Sequence, residues 1–231
     1  NTKLLSSIAF GSPSLNTHDS NERLAPKITL SHNQQQNINT IKMLPNLPYT
    51  GEEIASFSKQ IKNNRVYTKE LATENEVRKQ MKEDNYIVSF STHALSVEYP
   101  SGKVLSALVL TPEGGTSDID EGLLTTEDIE SLDINAELVV LSACNTAFSE
   151  DGVSNDLSGL TSSFIFSGAK NVLVSTAQIS DVATAKLMTE FYANVDDGFS
   201  RALMKGMNAM INSEEYSHPY YWANFRLVGG E

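Results

Sequence analysis

The chain has 231 residues, of which 40% are hydrophobic, and its formal net charge is −12. This length and composition suit one large domain with a hydrophobic core and exclude global disorder. The negative charge argues against a nucleic-acid partner, which needs clustered Lys and Arg, and against an anionic membrane surface. We find no signal peptide and no apolar run near the ~18 residues of a membrane span, so no membrane partner is expected.

Cys144 is the only cysteine of the chain, which rules out an internal disulfide and makes a reducing cytoplasm the simplest setting. One Cys and four scattered His offer no metal-ligand spacing, and no glycine-rich phosphate loop is present. We therefore expect neither a metal nor a cofactor. Because the sequence begins with Asn1 rather than Met, we expect that it is part of a longer protein.

The first half of the chain predicts strands separated by helices. A buried strand is predicted at Leu4–Phe10, and the polar residues 14–49 predict a long surface loop. Capping-box spacings at Thr50 and Thr73 predict the starts of two helices. Further strands are predicted at Arg65–Thr68, Tyr86–Ser91 and Leu105–Leu110.

The second half continues the alternation of helix and strand. Helices are predicted at Thr125–Leu132 and Leu157–Ser167 and after the capping residues Asp181 and Ser200, and strands at Leu138–Ser142, Val172–Ser175 and Phe225–Val228. Alternating strands and helices are typical of an α/β fold. We therefore predict a three-layer sandwich, in which a mostly parallel central sheet is flanked by helices on both faces.

Two chemically useful side chains lie directly beyond predicted strands. His93 follows Tyr86–Ser91, and Cys144 follows Leu138–Ser142. Ligands of such sheets bind beyond the carboxyl ends of the strands, so both side chains are expected at the functional edge. An imidazole next to a thiol can accept its proton or stabilise the thiolate, which is the nucleophilic form. Taken singly, Cys144 is better explained as a buried inert thiol and His93 as a structural histidine, and only their occurrence together at strand ends favours a catalytic pair.

Several segments in order resemble the CHAT domain family. They are IVSFSTH at Ile87–His93, LVVLSACNT at Leu138–Thr146, SGAKNV at Ser167–Val172 and HPYYWANFRLV at His218–Val228. CHAT domains are caspase-like cysteine peptidases of clan CD, related to separase and often fused to TPR repeats. The resemblance extends from Leu4 onward and implies one caspase-like domain over residues 1–231, with residues 14–45 matching least.

The resemblance implies a catalytic dyad. Carried over residue by residue, Cys144 is the nucleophile and His93 is the base that also protonates the leaving amine. The backbone N–H groups of Ala94 and Cys144 are the expected oxyanion donors, although many family members have Gly in place of Ala94. The interval of 51 residues between His93 and Cys144 is similar to the spacing of about 50 in caspases. The resemblance requires no third catalytic residue.

Asp181 is the candidate for substrate recognition. Its match in separase-like enzymes lies in the pocket for the side chain before the cut and selects a basic residue, which a recessed carboxylate can bind through a bidentate pair with Arg. Many relatives carry Trp where this chain has Ala177, so cleavage after a bulky apolar residue remains open. A structural alternative for Asp181 is the N-cap of the helix that follows.

The resemblance and the residues together predict a cysteine endopeptidase that acts on a protein or peptide substrate through an acyl-enzyme. We expect regulation by an upstream sensor or repeat region, such as TPR repeats. The alternative is a catalytically silent caspase-like scaffold that binds a partner. Ala94 and the missing Trp at Ala177 favour this alternative, whereas the retention of His93 and Cys144 favours the peptidase.

Overall fold

The computed structural model describes residues 5–15, 28–32, 34–44, 47, 49–113, 121–142, 156–176 and 179–230. Within these residues the strands are β1 (Ser6–Pro13), β2 (Ile28–Thr29), β3 (Asn64–Lys69), β4 (Asn85–Ser91), β5 (Ala94–Glu98), β6 (Val104–Val109), β7 (Leu123–Thr125), β8 (Ala136–Leu141), β9 (Asn171–Ser175) and β10 (Phe225–Gly229). The helices of the same residues are α1 (Gln34–Lys42), α2 (Thr50–Gln60), α3 (Glu74–Gln80), α4 (Thr126–Glu130), α5 (Asp156–Phe166), α6 (Asp181–Ala193) and α7 (Phe199–Ile211).

The central sheet has the strand order β10-β9-β8-β4-β1-β3. All neighbouring strands from β9 to β3 are parallel, and β10 is antiparallel to β9 at one edge. Parallel strands that are covered on both faces are largely apolar, and β4 and β8 follow this rule except for Ser89 and Ser91 and the polar residues Asn85 and Glu137 near their starts. The predicted mostly parallel sheet is confirmed.

Helices cover both faces of this sheet. The side chains Val88 and Phe90 of β4 belong to one core, which we call the aromatic face. Its helical members come from α3, α4 and α5: Val77, Ile129, Leu160 and Phe164. Ile87 of β4 belongs to the opposite core, whose helical members come from α2, α6 and α7 and include Phe57, Met188, Phe191, Leu203 and Met210. The predicted three-layer architecture is therefore confirmed.

A second, four-stranded sheet was not predicted from the sequence. Its order is β2-β5-β6-β7, with β5, β6 and β7 antiparallel. Strand β6 was predicted, but β5 begins only two residues after β4 ends and contains just two large apolar residues, Leu95 and Val97. Such a short alternation is a weak signal, and its burial depends on packing against Ile41 and Leu44 from a distant part of the chain.

The prediction of a continuous loop over residues 14–49 was wrong. Strand β2 and helix α1 lie within this range, while residues 16–27, 33, 45, 46 and 48 lie outside the described part. Ile38, Ile41 and Leu44 are buried at intervals of one helical turn. The polar composition of the segment hid this apolar stripe, which covers part of the second sheet.

The helix starts show which capping predictions were correct. The Thr73 hydroxyl accepts a hydrogen bond from the Glu76 N–H at 3.2 Å, so the predicted cap of α3 is confirmed. Thr50 is instead the first helical residue of α2, after Tyr49, and Gly198 rather than Ser200 precedes α7. Both errors are displacements of one or two positions at the helix ends, where composition discriminates least.

The remaining predicted strands each overlap an observed strand of the central or second sheet. In the part of the chain that the structure describes, none of the helices combines the length and hydrophobicity that a bilayer crossing needs.

Candidate active site

The strands that precede His93 and Cys144 are neighbours in the central sheet. β4 and β8 pair in parallel, with Ile87 opposite Leu138 and Phe90 opposite Leu141. The side chains of Ser91 and Ser142, 51 residues apart, continue this pairing beyond the last backbone pair, because their hydroxyl oxygens lie 3.2 Å from each other. The carboxyl ends of the two strands therefore meet at one edge of the sheet.

His93 lies between the two sheets. It follows the end of β4 and directly precedes β5, and only 2% of its surface is exposed. Its carbonyl oxygen accepts a hydrogen bond from the Val109 N–H at 2.8 Å, and the adjacent Thr92 hydroxyl donates to the Val109 carbonyl. These two hydrogen bonds to Val109 hold the backbone of Thr92 and His93 against β6.

Ala94, the predicted oxyanion donor, is the first residue of β5 and is buried. It stands opposite Leu108, and the neighbouring Val109 N–H donates to the His93 carbonyl, so Ala94 and Leu108 form a non-hydrogen-bonded antiparallel pair. The N–H of Ala94 consequently points away from β6. Ala94 does not have a positive φ, so a Cβ is compatible with this backbone.

Cys144 lies outside the described residues, together with the rest of the segment 143–155. The described part of its strand is β8, followed by Ser142. Ala177, where many relatives carry Trp, also lies outside the described residues.

Asp181 is the first residue of α6, and the cap position belongs to Ser180, whose side chain makes no capping hydrogen bond. The expectation that Asp181 is the N-cap was therefore wrong by one position. Helix α6 packs on the same face of the sheet as α2, and it follows β9, which is parallel to β8.

A buried polar cluster at the ends of β4 and β8 was missed by the sequence analysis. Ser91 Oγ donates a hydrogen bond to Glu53 Oε1 at 2.8 Å, and Ser142 Oγ lies 3.3 Å from the Phe90 carbonyl oxygen, to which it donates. Glu53, Ser91 and Ser142 are all buried. We call these three residues the Glu53 cluster. A signal was present, because Glu53 lies on the helical face of Ile54 and Phe57, where an apolar side chain is expected.

A tyrosine extends the polar region below the cluster. The hydroxyl groups of Tyr192, from α6, and Ser89, from β4, lie 2.8 Å apart. Burial, and secondarily the nearby Glu53 carboxylate, raise the pKa of Tyr192 well above its ordinary value. Tyr192 is therefore a neutral hydrogen-bonding group at physiological pH.

A cavity of about 260 Å³ lies elsewhere, between the second sheet and the ends of α3 and α4. It is lined by polar and charged residues that include Glu74, Lys103, Glu121 and Asp128. Arg78 links two of these acids, with contacts of 2.8 Å to Glu74 and 2.7 Å to Asp128. Of the described site residues, neither His93 nor Ala94 lines this cavity, and the pair of Arg78 with Asp128 joins α3 to α4.

Comparison with known proteins assigns the chain to a family. The model of the CHAT domain matches residues 4–230. The chain is 34% identical over 118 residues to tetratricopeptide repeat protein 28 of Homo sapiens, and 34% identical over 116 residues to the protein of the same name from Mus musculus. These matches cover 49% and 48% of this chain but 5% of each relative, so the similarity concerns a small part of those proteins.

Proposed function

The chain belongs to the CHAT domain family, which is caspase-like, and we propose that it is a cysteine endopeptidase with a dyad of His93 and Cys144. One observation carries this proposal. The paired residues of β4 and β8 differ by 51 in number, as the contact between Ser91 and Ser142 illustrates, and His93 and Cys144 differ by the same interval. The interval between the proposed dyad residues therefore equals the register of the two strands that precede them, which supports the proposal.

The proposed reaction proceeds through a thioester. The Cys144 thiolate attacks the carbonyl carbon of the scissile peptide, and an electron pair moves onto the carbonyl oxygen, which the N–H groups of Ala94 and Cys144 stabilise. The C–N bond then breaks as the His93 imidazolium gives its proton to the leaving amine. His93 next accepts a proton from water, whose oxygen attacks the thioester, releases the acid product and regenerates the thiolate.

The orientation of Ala94 supports the role of its N–H as an oxyanion donor. This N–H points away from β6 and lies one residue after His93 in the chain. Since φ of Ala94 is not positive, the replacement of the more common Gly by Ala introduces no backbone strain. The departure of this chain from the family pattern at position 94 therefore does not argue against activity.

For the substrate, we propose a protein with a basic residue before the cut, bound by Asp181. The helix that Asp181 begins packs on the face of the central sheet that also carries the Glu53 cluster. For regulation, we propose an adjoining repeat region, because the names of both curated relatives describe tetratricopeptide repeats. The isolated domain is then expected to be weakly active until that region signals.

The alternative is a silent caspase-like module that binds a partner. It is favoured by the names of the relatives, which describe repeats rather than a peptidase. Alkylation of the single cysteine separates the two functions. Rapid reaction of Cys144 with iodoacetamide that is lost in His93→Ala supports an activated thiolate, whereas reaction at the rate of an ordinary thiol supports the module.

The direct test is a cleavage profile against a diverse peptide library, read by mass spectrometry. We expect cuts after Arg or Lys that disappear in Cys144→Ala and in His93→Ala, while the melting temperature of each variant stays close to that of the parent. Asp181→Asn should reduce cleavage after basic residues and spare any cleavage after apolar ones. Undiminished proteolysis by both dyad variants would refute the endopeptidase.

A further inference from the structure

The Glu53 cluster places a carboxylate where the protein core would otherwise be apolar. Glu53 is 4% exposed, and its neighbours on α2 include the buried Ile54 and Phe57. Burial of an ionised group is costly unless hydrogen bonds replace its hydration. An apolar residue of similar size would pack here without that cost, so packing alone does not explain the presence of a carboxylate at position 53.

The position of the cluster supplies that reason. The backbone pairing of β4 with β8 ends at Phe90 and Leu141. One residue further, Ser91 and Ser142 contact each other through their hydroxyl groups, and Glu53 accepts the hydrogen bond of Ser91. Side chains thus continue the connection between the strands beyond the last backbone pair, toward the positions of the proposed dyad.

We propose that Glu53 is a positioning residue, which acts through Ser91 and Ser142 to hold the strand ends that carry His93 and Cys144 at a fixed separation. The proposal rests on the proposed function. Ser91 and Ser142 each stand two residues before a member of the dyad, so the contact between their hydroxyl groups links the two chain segments close to His93 and Cys144 in the sequence.

The described contacts assign the Ser91 proton to one acceptor and leave two acceptors for the Ser142 proton. Ser91 has a single hydroxyl proton, and it goes to Glu53. The Ser91 oxygen can then accept, and the Ser142 proton can go to it or to the Phe90 carbonyl. If the acceptor on α2 is removed, the Ser91 proton competes for the same acceptors as Ser142. Tyr192, on α6, is a titratable group that faces Glu53, and it remains neutral at physiological pH.

The experiment measures the rate at which iodoacetamide alkylates Cys144, the only cysteine, as a function of pH. We expect Ser91→Ala and Glu53→Leu to slow alkylation at neutral pH by about tenfold, because a displaced imidazole stabilises the thiolate less well. The pH at which alkylation becomes fast should increase in both variants, toward that of an ordinary thiol. Glu53→Gln retains an acceptor oxygen and should stay within about threefold of the parent.

A matched control lies on the aromatic face. Ser163, on α5, is 2% exposed and donates to Glu130 at 2.8 Å, so the burial of the serine and the length of its bond match those of Ser91, whereas Glu130 is exposed and Glu53 is buried. Ser163→Ala should lower the melting temperature about as much as Ser91→Ala does and leave the alkylation profile unchanged.

Three outcomes would overturn the positioning role. The first is alkylation at the parental rate in Ser91→Ala and Glu53→Leu, and the second is a Glu53→Gln chain that reacts as slowly as Glu53→Leu. The third is a decrease of the alkylation rate in Ser163→Ala that equals the decrease in Ser91→Ala. If Glu53→Leu does not fold, Ser142→Ala decides, since it removes one hydroxyl and keeps the bond between Ser91 and Glu53. A folded Ser142→Ala chain with the parental rate would also overturn the proposal.

The same data separate this proposal from the proposed function. Fast alkylation that depends on His93 but not on Glu53, Ser91 or Ser142 refutes only the positioning role. A parent that reacts at the rate of an ordinary thiol and is unaffected by His93→Ala refutes both.

Discussion

The two faces of the central sheet are built from the same strands but differ in chemistry. On the aromatic face, Phe90 of β4 stacks on Phe10 at a centroid distance of 5.5 Å and contacts Phe164 of α5 at 5.6 Å. On the other face, the flanking residues Ser89 and Ser91 bond to Tyr192 and Glu53. The strand therefore packs an aromatic ring on one face, whereas on the other face it combines the buried Ile87 with serines that adjoin the proposed site. Polar groups are concentrated where the strands end.

The largest expected effect tests the aromatic face. Phe90→Ala removes a fully buried ring between Phe10 and Phe164 and should lower the free energy of unfolding by about 3–5 kcal/mol. Ser91→Ala, at the adjacent position of the same strand, removes a hydrogen bond to a buried carboxylate and should cost about 2 kcal/mol. Urea denaturation of the two variants measures the difference, and an equal decrease in the free energy of unfolding would contradict the predicted difference between the two faces.

A smaller effect is expected at the end of α5. Gly168 has φ +112°, and a Cβ at this position would lie 2.2 Å from the Ile134 carbonyl oxygen. Gly168→Ala should therefore destabilise the fold by about 2 kcal/mol or more, through backbone strain and a displaced loop. Gly51→Ala is the control, since a Cβ there meets nothing within 4 Å. Thermal unfolding of both variants gives the comparison, and similar melting temperatures would contradict it.

The smallest effect concerns Tyr192 on the polar face. Since its pKa is raised in the folded state, the native protein retains the phenolic proton at pH values where the unfolded chain has lost it. Its contribution to stability is fully present below the unfolded pKa near 10.0 and is lost as the pH rises above it. Tyr192→Phe should cost about 1 kcal/mol at neutral pH, with a penalty that shrinks in alkaline solution. Urea unfolding of the parent and the variant at neutral and at alkaline pH checks this prediction. A penalty that grows with pH would contradict the raised pKa of Tyr192.

The comparison between the faces also shows where sequence patterns succeed. The apolar runs of β4 and β8, separated by helical segments, correctly predicted buried parallel strands and helices on both sides. Short or polar elements were missed: β5, β7 and α1 become stable by packing on one another in the second sheet and its cover. Their burial is a tertiary property that a local window does not contain.

The candidate site divides in the same way. The sequence identified His93, Ala94, Cys144 and Asp181 through strand ends and a family resemblance, and their roles stay predictions. It assigned Glu53 to a capping box, although this residue is buried against a strand 38 residues away in the chain. The acceptor role of Glu53 depends on partners from β4 and β8, which only the folded chain assembles.

By itself, the sequence determined the α/β class, the positions of the major buried strands and the family, because each depends on residues that are close together in the chain. The tertiary structure alone decided that β8 lies beside β4 and that Val109 of β6, in the second sheet, donates a hydrogen bond to the His93 carbonyl. It also decided that a carboxylate from α2 meets both strand ends. Strand order and side-chain burial arise from contacts between distant segments, whose free energy is realised only when the whole core forms.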